Sequence, residues 1–196
     1  MGDYNKTTGQ LHGEKITSWN TFAGYNYSNL SNNASSSAIF GGSVSIPLNK
    51  DYYSDNITLF GSQVTGSIGD QTGISTTLNL TNWRDLNYEL QWGITGEVGA
   101  GYTNYTNGGQ ETRVNAGGGL GIAKPGPDYV DGGYGTSKSL LLTGGIQARF
   151  TGNKKEISPY VKLDGALNFN NITVGAELTA DKRGLEEVTT KISYNF

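Results

Sequence analysis

Residues 87–102 read NYELQWGITGEVGAGY, and their polarity changes at almost every step. Tyr88, Leu90, Trp92, Ile94, Gly96, Val98, Ala100 and Tyr102 share one parity, while Asn87, Glu89, Gln91, Gly93, Thr95, Glu97, Gly99 and Gly101 share the other. Successive side chains of a strand point to opposite faces, so a strand sorts these residues into an apolar face and a polar one. A helical period scatters both sets. The same split separates Val114, Ala116, Leu120 and Ile122 from Arg113, Asn115 and their glycine neighbours. It separates Leu140, Leu142, Ile146 and Phe150 from Thr143, Gln147 and Arg149, and Val161, Leu163 and Leu167 from Tyr160, Lys162 and Asp164.

Composition points the same way. The 196 residues include 30 glycines, with 35% hydrophobic and 16% charged residues. Gly, Ser, Asn and Thr are weak helix formers, whereas Thr, Tyr, Val and Ile suit pleated strands. An all-β chain is expected, with strands near 15–28, 37–47, 56–67, 72–82, 87–104, 110–123, 138–151, 156–169, 171–181 and 187–196. That is about ten strands, within a range of about 8–12, each near the length that crosses a bilayer when tilted. Residues 1–13 form a flexible N-terminal segment in this reading, and 14–196 a single closed antiparallel up-and-down barrel. An even count puts both strand termini on one side.

The net charge of -3 supplies no basic field for nucleic acid. No Cys is present, which removes disulfides, thiolate metal sites and cysteine nucleophiles. No apolar run is long enough for a membrane helix, and a mean hydropathy of -0.44 does not argue against a membrane barrel, whose signal is alternation.

Alternation alone does not say which face meets water. The polar faces here are rich in Gly, Asn, Ser and Thr and carry sparse charges of both signs, unlike the Lys- and Glu-rich surface of a soluble domain. The aromatics Trp19, Tyr25, Tyr27, Trp83, Tyr88, Tyr102, Tyr105, Phe150, Phe169, Tyr194 and Phe196 gather towards strand ends, as in interfacial girdles, with Trp92 a mid-strand exception. Val188, Thr190, Ile192, Tyr194 and Phe196 alternate with Glu187, Thr189, Lys191, Ser193 and Asn195, and the sequence stops at the aromatic. This resembles the terminal strand of bacterial outer-membrane β-barrel proteins. The resemblance implies an outer-membrane location in a Gram-negative bacterium and both termini in the periplasm. It also implies that Ile192, Tyr194 and Phe196 form the signal read by the barrel-assembly machinery. The expected partners are therefore the lipid bilayer and that machinery, with no nucleic acid.

The lipid-facing set is expected to include Leu90, Ile94, Val98, Leu140, Leu142, Ile146, Val161, Leu163, Val174 and Leu178. Glu89, Glu97, Asp164 and Glu177 are expected in the lumen opposite Arg113, Arg149, Lys162 and Lys191. An isolated buried charge is costly, so these either pair into a network that closes the interior or line water and select solutes. The network is the favoured reading. A ten-strand barrel lies between filled eight-strand barrels and open porins.

No catalytic set stands out. The single histidine, His12, falls outside every alternating strand, which leaves a hydrolase without its base. Asp51/Asp55 and Asp128/Asp131 are read as turn residues rather than a calcium loop, and residues 116–121, AGGGLG, as a glycine-rich strand lacking the Lys-Ser/Thr of a phosphate loop. No metal or cofactor is expected. The expectation is a monomeric, non-enzymatic membrane barrel acting as a small passive channel or a structural protein. A soluble ligand-binding barrel is the alternative, and a membrane-embedded hydrolase a more distant one.

Overall fold

A computed structural model describes residues 4–5, 10–11, 14–15, 18–30, 33–48, 56–87, 90–106, 108–124, 136–169 and 172–195. Ten strands follow one another: β1 (Ser18–Leu30), β2 (Asn33–Pro47), β3 (Asn56–Gly69), β4 (Gln71–Asn87), β5 (Leu90–Tyr105), β6 (Gln110–Lys124), β7 (Thr136–Thr151), β8 (Lys154–Phe169), β9 (Ile172–Asp181) and β10 (Gly184–Asn195). Each pairs antiparallel with its sequence neighbours, and β10 returns to pair with β1 from Glu187↔Ser28 to Asn195↔Asn20. The sheet is thus a closed up-and-down barrel with no helix among the described residues. Ahead of it, Tyr4–Asn5, Gln10–Leu11 and Glu14–Lys15 pair as a separate small antiparallel sheet, and the first strand of the barrel opens at Ser18.

Burial follows the two-residue period. From Gln91 to Ala100 the strand β5 alternates inward and outward almost without fault. Leu120 is 64% exposed and Ile146 61%, whereas Thr143 is fully buried and Arg149 3% exposed. The apolar parity faces out and the polar parity faces in, the reverse of a water-soluble barrel. All ten residues expected on the outer face lie on it; Leu163 is half-covered there, and Leu90 opens β5 at the rim. Trp92 is the third residue of β5, so it too sits near a rim, with Arg84 stacked 5.6 Å from its ring centre. Trp19, Trp92, Phe169 and Tyr194 mark one end of the outer face, and Tyr27, Tyr102 and Phe150 the other.

The two ends of the barrel differ. One end carries the start of β1, the end of β10 and the connections 48–55, 88–89, 125–135 and 170–171. At the opposite end the strand bounds leave only connections of one to four residues: 31–32, Asp70, 106–109, 152–153 and 182–183. Asp70 holds its turn by accepting hydrogen bonds from the Ser36 backbone N–H at 3.0 Å and hydroxyl at 3.2 Å. In the 152–153 turn Gly152 adopts φ 57°, a left-handed conformation that L side chains avoid. Asp51, Asp55, Asp128 and Asp131 lie outside the described residues, as do His12, Glu89 and Phe196.

Residues 116–121 lie in the middle of β6. Inward glycines make room. Tyr160 lies over Gly117 and Gly145: a methyl at 145 would meet the Ala116 carbonyl and come within 2.8 Å of the Tyr160 ring. Outward Gly144 has nothing closer than 3.9 Å to its missing methyl. Gly145→Ala should therefore cost about 1–3 kcal/mol by overpacking. Gly144→Ala, one residue away on the other face, should be neutral or stabilise by up to about 1 kcal/mol. Urea unfolding followed by tryptophan fluorescence separates the two.

Candidate functional site

The barrel interior is the candidate site, and its charges fall into two tiers. The first lies midway along the strands. Lys162 on β8 contacts Glu97 on β5 and reaches Asp164 at 3.7 Å. The Tyr160 hydroxyl donates to Glu97 at 2.8 Å and lies 3.4 Å from the Asn115 amide nitrogen, which donates to it. Asp164 and Glu177 are register partners, so two carboxylates stand side by side across β8 and β9. Like charges directly opposite one another repel. Lys162 on one side and Lys191 on the other, 3.3 Å from Glu177, offset that repulsion. Lys191 also sits 5.6 Å from the ring centre of inward-facing Phe22.

The second tier lies near the tight-turn end. Arg113 and Arg149 are register partners on β6 and β7, a pair of like charges of the opposite sign. Arg113 bonds Glu111 and Glu187, each at 3.2 Å. Asn26 donates to Glu187 and, at 3.3 Å, to the Thr189 hydroxyl. Arg149 contacts Glu186 and lies 3.6 Å from Asp181. Arg183 caps the same two carboxylates at 2.7 and 3.0 Å from the rim, and Gln147 donates to Glu186 at 3.3 Å.

Sequence reasoning and structure differ here in an instructive way. Lys162 and Lys191 are brought together with Glu97, Asp164 and Glu177, but neither arginine is partnered by any of them. The arginines instead take Glu111, Asp181, Glu186 and Glu187, four carboxylates that a search restricted to mid-strand positions passes over. Glu111 shares parity with Arg113 and was legible on that ground. Glu186 was not. The register of β9 and β10 shifts between Thr179 and Ala180, so Thr179 faces Glu187 while Ala180 faces Leu185. The extra residue of this bulge is Glu186, and it turns inward beside Glu187.

Near the end that carries the start of β1 and the end of β10, the lumen is apolar on one side. Leu59, Trp83 and Ala123 form a buried cluster. The indole of Trp83 lies against Gly93 and Gly121, where an added methyl would fall 2.6 and 3.0 Å from it. Between the charged tiers and the opposite wall lies a cavity of about 440 Å³, lined by Glu97, Arg113, Lys162 and Lys191 on one side and by Ser43, Ser67 and Thr77 on the other. Among the described residues no group of three or more His, Cys, Asp or Glu side chains is arranged to hold a metal ion.

No protein-family model matches the sequence, and no curated protein matches it. Among solved structures the chain is similar to a KdgM porin, with 10% identity and a TM-score of 0.36, over 90% of this chain and 99% of that one. It is also similar to the translocator domain of the autotransporter NalP from Neisseria meningitidis, with 9% identity and a TM-score of 0.35, over 92% of this chain and 87% of that one. The transport unit of the autotransporter AIDA-I from Escherichia coli stands at 9% identity and a TM-score of 0.35, over 93% and 91%. Likenesses this distant carry no functional weight.

Arg149→Ala should be the most damaging change in the second tier, because it leaves Asp181 and Glu186, 0% and 4% exposed in their side chains, with only Arg183 at the rim as a cation. A loss of about 2–3 kcal/mol is expected on chemical unfolding, below the roughly 3–5 kcal/mol of a fully uncompensated buried charge because Arg183 still reaches both carboxylates. Lys182→Ala, which removes an ion pair to Glu156 between half-exposed side chains, should cost no more than about 1 kcal/mol.

Proposed function

We propose that this chain spans the outer membrane of a bacterium and forms a narrow passive channel through it. The observation that carries this reading is the inversion of polarity: Ile68, Ile74, Leu120, Ile146 and Ile192, each at least 60% exposed, face outward, while Gln147, Arg149, Glu97 and Glu186 are buried inside. In water such an outer face would leave a continuous apolar surface far larger than monomers tolerate. In hydrocarbon the same face is solvated, and the closed sheet leaves no backbone group unpaired at its edges. The aromatic bands at both ends lie where the interfaces would be.

Channel rather than scaffold is favoured by the cavity inside the barrel and by the ends. With both strand termini in the periplasm, as the terminal strand suggests, the face turned outward from the cell carries only the tight turns. Longer connections, the usual means of engaging an extracellular partner, then sit on the periplasmic side, the reverse of the common distribution. The same reading takes Ile192, Tyr194 and Phe196 as the strand recognised during assembly.

Spin labels test the membrane placement. Labels at Val98, Leu142, Ile146 and Val161 should be relaxed by lipid-soluble oxygen and protected from aqueous reagents, and Val98→Arg, in the middle of β5, should cost about 2–4 kcal/mol in lipid. The opposite accessibility pattern would mean a soluble barrel.

A further inference from the structure

The charges of the interior are confined to one side of it. β2 and β3 contain no Asp, Glu, Lys or Arg, and β4 has none before Arg84 near its end. Their inward positions along the cavity are mostly Ser43, Ser45, Thr65, Ser67, Ser75 and Thr77, with Ile39, Gln63, Asn79 and glycines among them. Every charge that touches the cavity belongs instead to the strands from β5 onward. The lumen is therefore a slot between a hydroxyl wall and an ion-paired wall.

The two walls offer different things to a solute. On the charged wall each cation is already engaged: Arg113 by Glu111 and Glu187, Lys162 by Glu97 and Asp164, Lys191 by Glu177. Carboxylates outnumber cations along it, since Glu97, Asp164, Glu177 and Glu187 face Arg113, Lys162 and Lys191 across the cavity lining. An anion entering the slot gives up hydration and finds no free positive charge to replace it. The hydroxyl wall presents donors and acceptors in rows, repeating every second residue along a strand and about 4.8 Å apart between strands. An uncharged polyhydroxylated molecule can exchange its water for such a wall group by group, at little net cost. A volume of about 440 Å³ falls within the roughly 300–1,000 Å³ of small-molecule sites.

We infer that the passage selects uncharged, hydroxyl-rich solutes of polyol or simple-sugar size and discriminates against anions of the same size. This rests on the channel reading above and goes further by naming what passes. The hydroxyl wall is the selective surface, and the ion pairs opposite it act by withholding free cations.

Liposome swelling with the purified, refolded full chain tests this, using glycerol, glucose and glucuronate as probes. Glucose should enter several-fold faster than glucuronate. A variant carrying Thr65→Val, Ser67→Ala and Thr77→Val, which removes hydroxyls at nearly constant volume, should slow glucose several-fold and leave glucuronate unchanged. Glu177→Gln, which frees the charge of Lys191, should raise glucuronate entry. Glucuronate entering as fast as glucose, or a glucose rate indifferent to the three hydroxyls, overturns the inference and leaves the channel standing. Failure of glycerol itself to enter, in preparations whose barrel is shown folded by heat-modifiable gel migration, overturns the channel and the inference together.

Discussion

The pairing of β10 with β1, from Glu187↔Ser28 to Asn195↔Asn20, removes the last free edge of the sheet, and the rest of the molecule follows from that closure. An open ten-strand sheet would leave two rows of backbone N–H and C=O groups without partners. Once the ring is closed, every residue is either inside or outside, and the period of the strand decides which. Polar groups then converge on a space too small to hydrate them all freely. The apolar groups are left outside, where only a nonpolar medium suits them.

Convergence has consequences for the interior. Two arginines face each other across β6 and β7, and two carboxylates across β8 and β9. Neither pairing is favourable alone, and each is made tolerable by groups from other strands, Glu111, Glu187, Asp181 and Glu186 in one case and Lys162 and Lys191 in the other. Bulky groups need room as well. Tyr160 reaches Glu97 across the lumen because Gly117 and Gly145 present bare backbone beneath its ring, and Trp83 lies flat because Gly93 and Gly121 do the same. The glycine-rich character of β5 to β7 is thus partly the imprint of aromatic side chains from β4 and β8.

The charged and uncharged halves of the wall divide the work. β5 to β10 tie the barrel together across its lumen with ion pairs. Across from them, β2, β3 and the inward part of β4 before its end hold only small or neutral groups and keep the remaining space open. A ring of charges distributed evenly would have closed the centre with long side chains; segregation leaves a slot.

Alternation such as that of residues 87–102 was enough to foresee an all-β chain and ten strands close to those observed, while the sparse charges of the polar faces and the resemblance of the last strand chose the closed barrel and the parity of its outer face. These are local properties, because a strand's period and its bounding turns are written into consecutive residues. Partner choice among the charges was not legible. Lys162 meets Glu97 from three strands away in the ring, 65 positions away in sequence, and Arg113 meets Glu187 at a separation of 74. Such contacts depend on how far each strand is staggered around the ring, which no single strand records. Glu186 points inward only because β10 carries one residue more than β9 at that point, and a bulge breaks the very parity from which a sequence is read. The sequence by itself determined which residues of the regular strands face in and which face out; the closed ring decided which of the inward ones meet, because only closure fixes their heights relative to one another.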